Sequence, residues 1–556
     1  MTVFDNMQKK TEEIKTNPFY EPYIQNIKNT YDELIKEGPV TLTYKDFMIF
    51  FETGSRKEYE TKYFKKREFL GCSLALYILY GDDEYLKSIS EAVWSICSDI
   101  SWVLPAHLGG YPVCEYDTHI DLFASETALY LAETKYLLGD KLPERIRELI
   151  AHYLDIRIFK PFEERTYWWE SLVSNWAAVC GGSVGMAYMY ANPEGFEKVY
   201  GRIEKVIDNF VSGYGDDGCC QEGVNYWNYG FEFFIFYADL LKRFTEGKKD
   251  ITKPEKINRM AQCLQKMIMR KDITVSFSDG ARRGEFTNVG LYSYLKSNFK
   301  GVEVPSAIGN KGRRTVESKP SLILRTLFWS NPEDYADNSC EFKTGMEYFP
   351  DAKWYINKKG KYSFAAKCGH NAEEHNHNDV GSFIIATDDD QILCDIGAME
   401  YTKDNFDNEK RYTIFHNSSF GHSVPIIDGS DQKFGKEYHG EVSEVTEKVF
   451  SMEIQDAYDT DLEKLVRTFN IKEDRVILKD IFVSEKNHKV KERFITEIEP
   501  VTSPGAVRLG NLVIMTDETA RISSVEIPNH QKVIEKFYAI DFDVDKEDFE
   551  IEFIIE

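Results

Sequence analysis

From about residue 60 to residue 330, apolar side chains recur at the three- and four-residue intervals that line one face of an α-helix. Phe69–Tyr80 and Ala128–Leu138 are the clearest stretches. Each such run ends at a helix-stopping pair: Gly81-Asp82, Gly139-Asp140, Asn192-Pro193 or Glu246-Gly247. The stops lie roughly 50 to 60 residues apart, about the length of a two-helix hairpin with its loops. The side chains share no consensus from run to run, so the repeat is one of architecture only. Helix pairs repeated in this way build a solenoid or a closed (α/α) toroid.

After about residue 340 the pattern changes. Short β-rich runs appear at Tyr362–Ala366, Gly381–Ala386, Gln391–Asp395, Arg475–Leu478, Leu512–Met515 and Phe549–Ile555. Turn clusters such as Thr387–Asp390 and Asp428–Asp431 separate them. Many short strands with no helix between them predict an antiparallel sandwich. The change falls at Ser330–Asn338, which predicts an (α/α) toroid over 1–335 and a β-sandwich over 336–556.

A chain of 556 residues is too long for one core and ample for two large domains. Aromatic residues make up 14%, which suits a cleft that stacks sugar rings and equally suits a large core. The net charge of -25 argues against nucleic acid as a partner. It would also repel an acidic polysaccharide, so such a substrate requires a locally basic cleft. The first ten residues carry no apolar stretch of signal-peptide type, and no run is long enough to cross a membrane. The ten cysteines are scattered without CxxC spacing, which with the missing signal predicts a reducing cytoplasm. An oligomer is compatible with these features.

The chain has 11 histidines, and five of them fall between residues 370 and 422. His375 and His377 stand two apart, so on a strand both would point to one face. Asp395 follows the next strand, and His422 or His416 lies beyond the following loop. Together they would form a His/Asp/His set suited to zinc. A His-x-His pair alone is more often a polar loop.

The stretch His375-Asn-His377-Asn-Asp379-Val-Gly381-Ser-Phe383 resembles the signature of the heparinase II/III-like polysaccharide lyases. In that family a His-x-His-x-Asp-x-Gly-Ser-Phe run opens the β-sandwich. Upstream, Asn175-Trp176 resembles the family's Asn-Trp pair, and Glu222-Gly223-Val-Asn-Tyr226 its Glu-Gly-x-x-Tyr run. Downstream, Asp395-Ile-Gly397 and the run from His422 to Asp428-Gly429 match in the expected order. The resemblance spans roughly residues 60 to 480. It implies a zinc ion in the sandwich that organises the site rather than acting on substrate. Spacing to Asp428-Gly429 favours His422 as the ligand, with His416 as the alternative.

The resemblance further implies cleavage of a uronate-containing glycan by β-elimination, with glycosaminoglycans favoured. The C5 proton of a uronate is poorly acidic beside an ionised carboxylate. A neutral or protonated donor at that carboxylate stabilises the enolate-like intermediate as an oxyanion hole would. Asn175 is one such donor and His375 a second. Tyr226 is the candidate acid, and also the base if elimination is syn; for anti elimination His375 is the first nominee as base. Trp176, Trp227, Tyr229 and His107 are candidate substrate contacts, with Trp168 and Trp169 as further stacking platforms. Arg282 and Arg283 are candidate partners for a carboxylate or sulfate.

Two rival readings carry other chemistry. A toroidal glycoside hydrolase would need two carboxylates, for which Glu222 with Asp216 or Asp217 can be nominated. A glycan-binding protein without activity would keep the fold and lose the reaction.

Overall fold

A computed structural model describes residues 2–284, 286–305, 315–336, 343–407, 410–529 and 532–556; the last two residues of the expected boundary segment, 337 and 338, lie outside them. The chain divides into two compact units. One comprises Met1–Gly213, Asn228–Asn258 and Glu285–Ser339; the other comprises Tyr214–Trp227, Arg259–Gly284 and Cys340–Glu556. Two short segments that precede residue 335 therefore pack with the sandwich.

The first unit is a toroid of helical hairpins. Lys57–Tyr80 pairs with Asp83–Cys97, Leu122–Leu138 with Glu144–Leu154, and Gly182–Ala191 with Pro193–Gly213. The stops read from the sequence are the observed ones: Gly81 caps the first helix in the left-handed conformation, and Glu246-Gly247 follows Phe244. Within each hairpin the division of labour is visible in the side chains. Gly182–Ala191 is buried from Gly182 to Tyr190, all the way round. Its partner buries one stripe, Phe196, Val199, Ile203, Val206, Ile207 and Phe210, which is the three-to-four spacing of an outer helix. The ring closes where Pro320–Trp329 returns to Lys57–Tyr80. A Cβ on Gly71 would stand 2.8 Å from Ile323 Cδ1 and 3.0 Å from Pro320 Cα, so only glycine permits that approach. Helices also precede the expected start, at Met7–Thr16, Glu21–Glu37 and Tyr44–Thr53. No described helix is long and apolar enough to cross a membrane.

The second unit is built on antiparallel sheets. A five-stranded meander runs through Gly345–Phe349, Trp354–Lys358, Ser363–Lys367, Phe383–Ala386 and Gln391–Leu393. An eight-stranded sheet centres on Lys464–Ile471, Arg475–Val483 and Asp548–Ile555, and a four-stranded sheet on Val490–Thr496 and Ile534–Val544. Their inner faces share one core. Phe383 lies 5.0 Å from Phe469, 5.9 Å from Phe494 and 5.5 Å from Phe553, ring centre to ring centre. Each aromatic pair adds about 0.5–1.5 kcal/mol beyond its buried area. Phe383 closes the histidine-rich motif, so this cluster anchors one end of that loop. Lys367 holds it from beneath, with Nζ 2.7 Å from Asp379 Oδ1 and 2.9 Å from Glu373 Oε2, all three buried. Removing one charge would leave the others uncompensated.

Candidate active site and metal centre

Three acidic residues, each with a glycine one or two positions on, bring the site together within the second unit: Glu222-Gly223, Asp279-Gly280 and Asp395-Ile-Gly397. Gly223 has φ 101°, and a Cβ there would lie 2.8 Å from Gly280 Cα. Gly397 has φ 66°, and its Cβ would stand 2.1 Å from the Gly280 carbonyl oxygen. Bare backbone at these points lets three distant segments touch. Phe277, buried and edge-on to Trp354 at 5.2 Å, fixes the middle segment. Ser278 then turns through φ 58° and delivers Asp279 into the site.

Asp279 is fully buried and is the hub. Its Oδ2 lies 2.7 Å from His375 Nδ1 and accepts a hydrogen bond from the Tyr401 hydroxyl at 2.6 Å. Its Oδ1 lies 3.0 Å from His377 Nε2, and Arg411 approaches Oδ2 at 3.5 Å. The Tyr401 hydroxyl is 2.9 Å from that of Tyr226. The ring of Tyr226 stacks on that of His375, centroids 4.0 Å apart and planes 25° from parallel. His375 Nε2 is 3.7 Å from Glu222 Oε2. The two histidines do not sit on a strand, as their spacing predicted. They lie in an irregular loop, and His375 has φ 59°, a conformation that costs about 1–3 kcal/mol for a non-glycine residue and clusters at functional sites. What brings both rings to one place is the shared carboxylate.

Charge follows from these contacts. Burial alone would raise the Asp279 carboxyl, but hydrogen bonds from His375 and His377 hold it well below the usual range. Burial would lower His375, yet its hydrogen bond to Asp279 and that residue's charge raise it. Burial, and then the charge of Asp279, push the phenols of Tyr226 and Tyr401 up. Both tyrosines are therefore protonated at neutral pH.

Beside this group, His377, Asp395 and His422 offer ligand atoms that all lie within 4.8 Å of one another. His377 directs Nε2 to Asp279, and its Nδ1 is buried with no hydrogen-bond partner among the described residues. His422 directs Nε2 to the His416 carbonyl at 3.0 Å. With that nitrogen protonated, Nδ1 presents a lone pair to Asp395 Oδ2 at 3.0 Å. Two acceptors at that separation need a proton or a cation between them. Of the two histidines left open by spacing, His422 is the one that faces Asp395. His416 serves through its backbone, and burial lowers its imidazole to about 3.

The other expected residues divide clearly. In the helical unit, Asn175 is buried beside Gly230, immediately before the π-helical turn Ala177–Gly181. Such turns recur at functional sites. Trp176 lies tilted against His107 at 5.1 Å and Trp168 at 4.7 Å, and His107 Nδ1 is 2.7 Å from Asp121 Oδ2. Tyr229 donates its hydroxyl to buried Glu126. Trp169 is buried and donates to the Ile120 carbonyl. In the second unit, Trp227 is buried and donates to the Met260 carbonyl at 2.8 Å, a packing role rather than a sugar platform. Arg282 is neutralised by Glu497 and Glu535 and lies over Phe537. Arg283 pairs with Asp272 and Asp390. The Arg282 guanidinium is thus taken up within the fold, whereas Arg283 is partly exposed and makes surface pairs only. Asp217 accepts hydrogen bonds from the backbone of Cys219, Asp351 and Ala352, and Asp216 has an exposed side chain. Of the two nominated partners of Glu222, Asp217 is thus engaged by main chain and Asp216 is exposed. Asp279, Tyr401 and Arg411 are absent from the sequence-derived set; the one signal was the Asp279-Gly280 turn.

The profile described as Heparinase II/III-like, C-terminal, matches residues 343–537. The second, strand-rich part of the chain is thus similar to a heparinase II/III-like C-terminal domain. The resemblance read from the histidine-rich motif falls inside that match. No curated protein matches the sequence significantly. Among solved structures, a mutant of the heparan sulfate lyase HepC from Pedobacter heparinus is similar over 99% of this chain and 87% of its own, with a TM-score of 0.62 at 12% identity. The chondroitin AC lyase of Streptomyces coelicolor, in complex with chondroitin sulphate, covers 99% and 82%, with a TM-score of 0.59 at 10% identity. At such identities the likeness is one of fold: a helical toroid followed by antiparallel sheets.

Proposed function

We propose that this heparinase II/III-like protein is a lyase that cleaves a uronate-containing glycan, with glycosaminoglycans favoured, by β-elimination. The observation that carries the reading is the Tyr226–His375 stack, with its phenol hydrogen-bonded to Tyr401. It sets a protonated hydroxyl beside an imidazole whose Nδ1 is held by a carboxylate. An imidazole that gives its Nδ1 proton to a carboxylate keeps the Nε2 lone pair as the acceptor, here on the side of Glu222 at 3.7 Å. His375 Nε2 then takes the C5 proton, and Tyr226 gives its own proton to the departing C4 oxygen, leaving a carbon–carbon double bond.

His377, Asp395 and His422 would hold a divalent metal, and two imidazole nitrogens with one carboxylate oxygen suit zinc. When bound, the ion would supply a fixed positive charge that locks these side chains in place. Proton movement belongs to Tyr226 and His375.

The test is a panel of uronate glycans, including heparan and chondroitin sulfates, followed by growth of ultraviolet absorbance from the conjugated alkene. Growth with one of them, abolished by Tyr226→Phe, is the expected result. New reducing ends without alkene absorbance would indicate hydrolysis and overturn the reading.

A further inference from the structure

The carboxylate of Asp279 has two faces, and each serves a different centre. Oδ2 contacts His375 Nδ1 at 2.7 Å and the Tyr401 hydroxyl at 2.6 Å, while Oδ1 contacts His377 Nε2 at 3.0 Å. We propose that Asp279 is a positioning residue that couples the metal centre to the acid–base pair, so that loading the metal orders His375 and Tyr401 through this single side chain. The proposal rests on the lyase reading only for the word acid–base; the coupling itself is a statement about geometry.

The physical basis is rigidity. Asp279 is 1% exposed, and its backbone is pinned between Phe277 under Trp354 and the Gly223–Gly280 contact. It cannot swing to serve one ring without dragging the other. His377, held by a cation, would have its ring plane fixed, and hence the direction from which Nε2–H meets Oδ1. With Oδ1 fixed, Oδ2 is fixed, and with it the donors that converge there. Carboxylates behind a metal-bound histidine commonly account for 10–100-fold in metal affinity or activity. Here the same group also orients the candidate base.

The probe is zinc alone, titrated into metal-stripped protein carrying 15N-labelled histidine, with the imidazole resonances followed by NMR. In the wild-type chain zinc is expected to shift and sharpen the His375 signals along with those of His377 and His422. In Asp279→Asn, zinc affinity should fall about 10–100-fold, and saturating zinc should move His377 and His422 while leaving His375 unchanged. Circular dichroism and melting of the variant are compared with wild type. If the variant fails to fold, the wild-type titration still decides, since unchanged His375 signals at full zinc occupancy would overturn the coupling. An Asp279→Asn chain in which zinc still moves His375 as in wild type would also overturn it. Turnover separates the two claims. A wild-type protein that transmits zinc binding to His375 yet cleaves no glycan keeps the coupling and loses the lyase reading.

Discussion

The ring of Tyr226 lies flat against the ring of His375, 4.0 Å away, while its hydroxyl reaches past to Tyr401, 2.9 Å off. The phenol is thus placed by stacking and oriented by a hydrogen bond, and each can be removed separately.

Tyr226→Phe keeps the stack and deletes the proton. It is expected to lower kcat by about 10²–10⁴-fold, the usual contribution of a positioned acid, with an unchanged melting temperature. Tyr401→Phe removes the orienting contact together with one donor to Asp279, and should cost about tenfold, the worth of one hydrogen bond. Steady-state kinetics on the alkene absorbance read both; equal losses would mean that Tyr401 itself meets the substrate.

Metal content distinguishes His422 from His416. His422→Ala removes a candidate ligand and should yield protein with little bound zinc by elemental analysis after dialysis. His416→Ala retains the carbonyl that His422 Nε2 uses and should bind zinc in the wild-type amount. Retention of zinc by His422→Ala would show that the ion sits elsewhere.

Stability should depend on pH through Glu232, which is 4% exposed with one oxygen lacking a partner among the described residues. Burial first, and then Glu317 and Glu126, raise it from 4.5 to about 7, against the opposing pull of Lys319. The folded state therefore holds its proton where the unfolded chain has lost it. This stabilisation is full below pH 4.5 and is lost as pH climbs to about 7, a change of about 3 kcal/mol. Urea melts of Glu232→Gln should show a shallower fall across that window and greater stability than wild type at pH 8. Parallel curves would mean that Glu232 is ionised throughout.

Arg282→Ala tests whether this residue serves substrate or scaffold. Its guanidinium is tied to Glu497 and Glu535, so the expected effect is a loss of about 2 kcal/mol in denaturant unfolding with KM within about threefold of wild type. A large rise in KM with unchanged stability would return Arg282 to the substrate contacts.

How much of this was legible depended on sequence distance. The candidate ligands His377, Asp395 and His422 lie close together in sequence and carry a distinctive histidine spacing, so their clustering was legible, apart from the choice between His416 and His422. Tyr226 was reachable through its Glu-Gly-x-x-Tyr context. Asp279 was not, because Asp-Gly in a short loop has the signature of an ordinary turn. Its partners stand 96 and 122 positions away, beyond the reach of local periodicity. The strand argument for His375 and His377 led to the right proximity by a wrong route, since a left-handed backbone carries no periodic trace. In the helical half, the stops at Gly81 and Gly139 were visible because capping is local chemistry. Arg282 misled for the opposite reason: charge is plain in a sequence, but its neutralising partners more than 200 residues later are not.

The contact of Gly223, Gly280 and Gly397 carries a consequence for anyone reshaping this protein. Chemistry here hangs from a knot of uncovered main chain rather than from any one secondary-structure element. A methyl group added at Gly223 or at Gly397 would press into the main chain at Gly280 and part the segments that carry the candidate site. Directed evolution of the protein should hold those three positions constant and randomise around them.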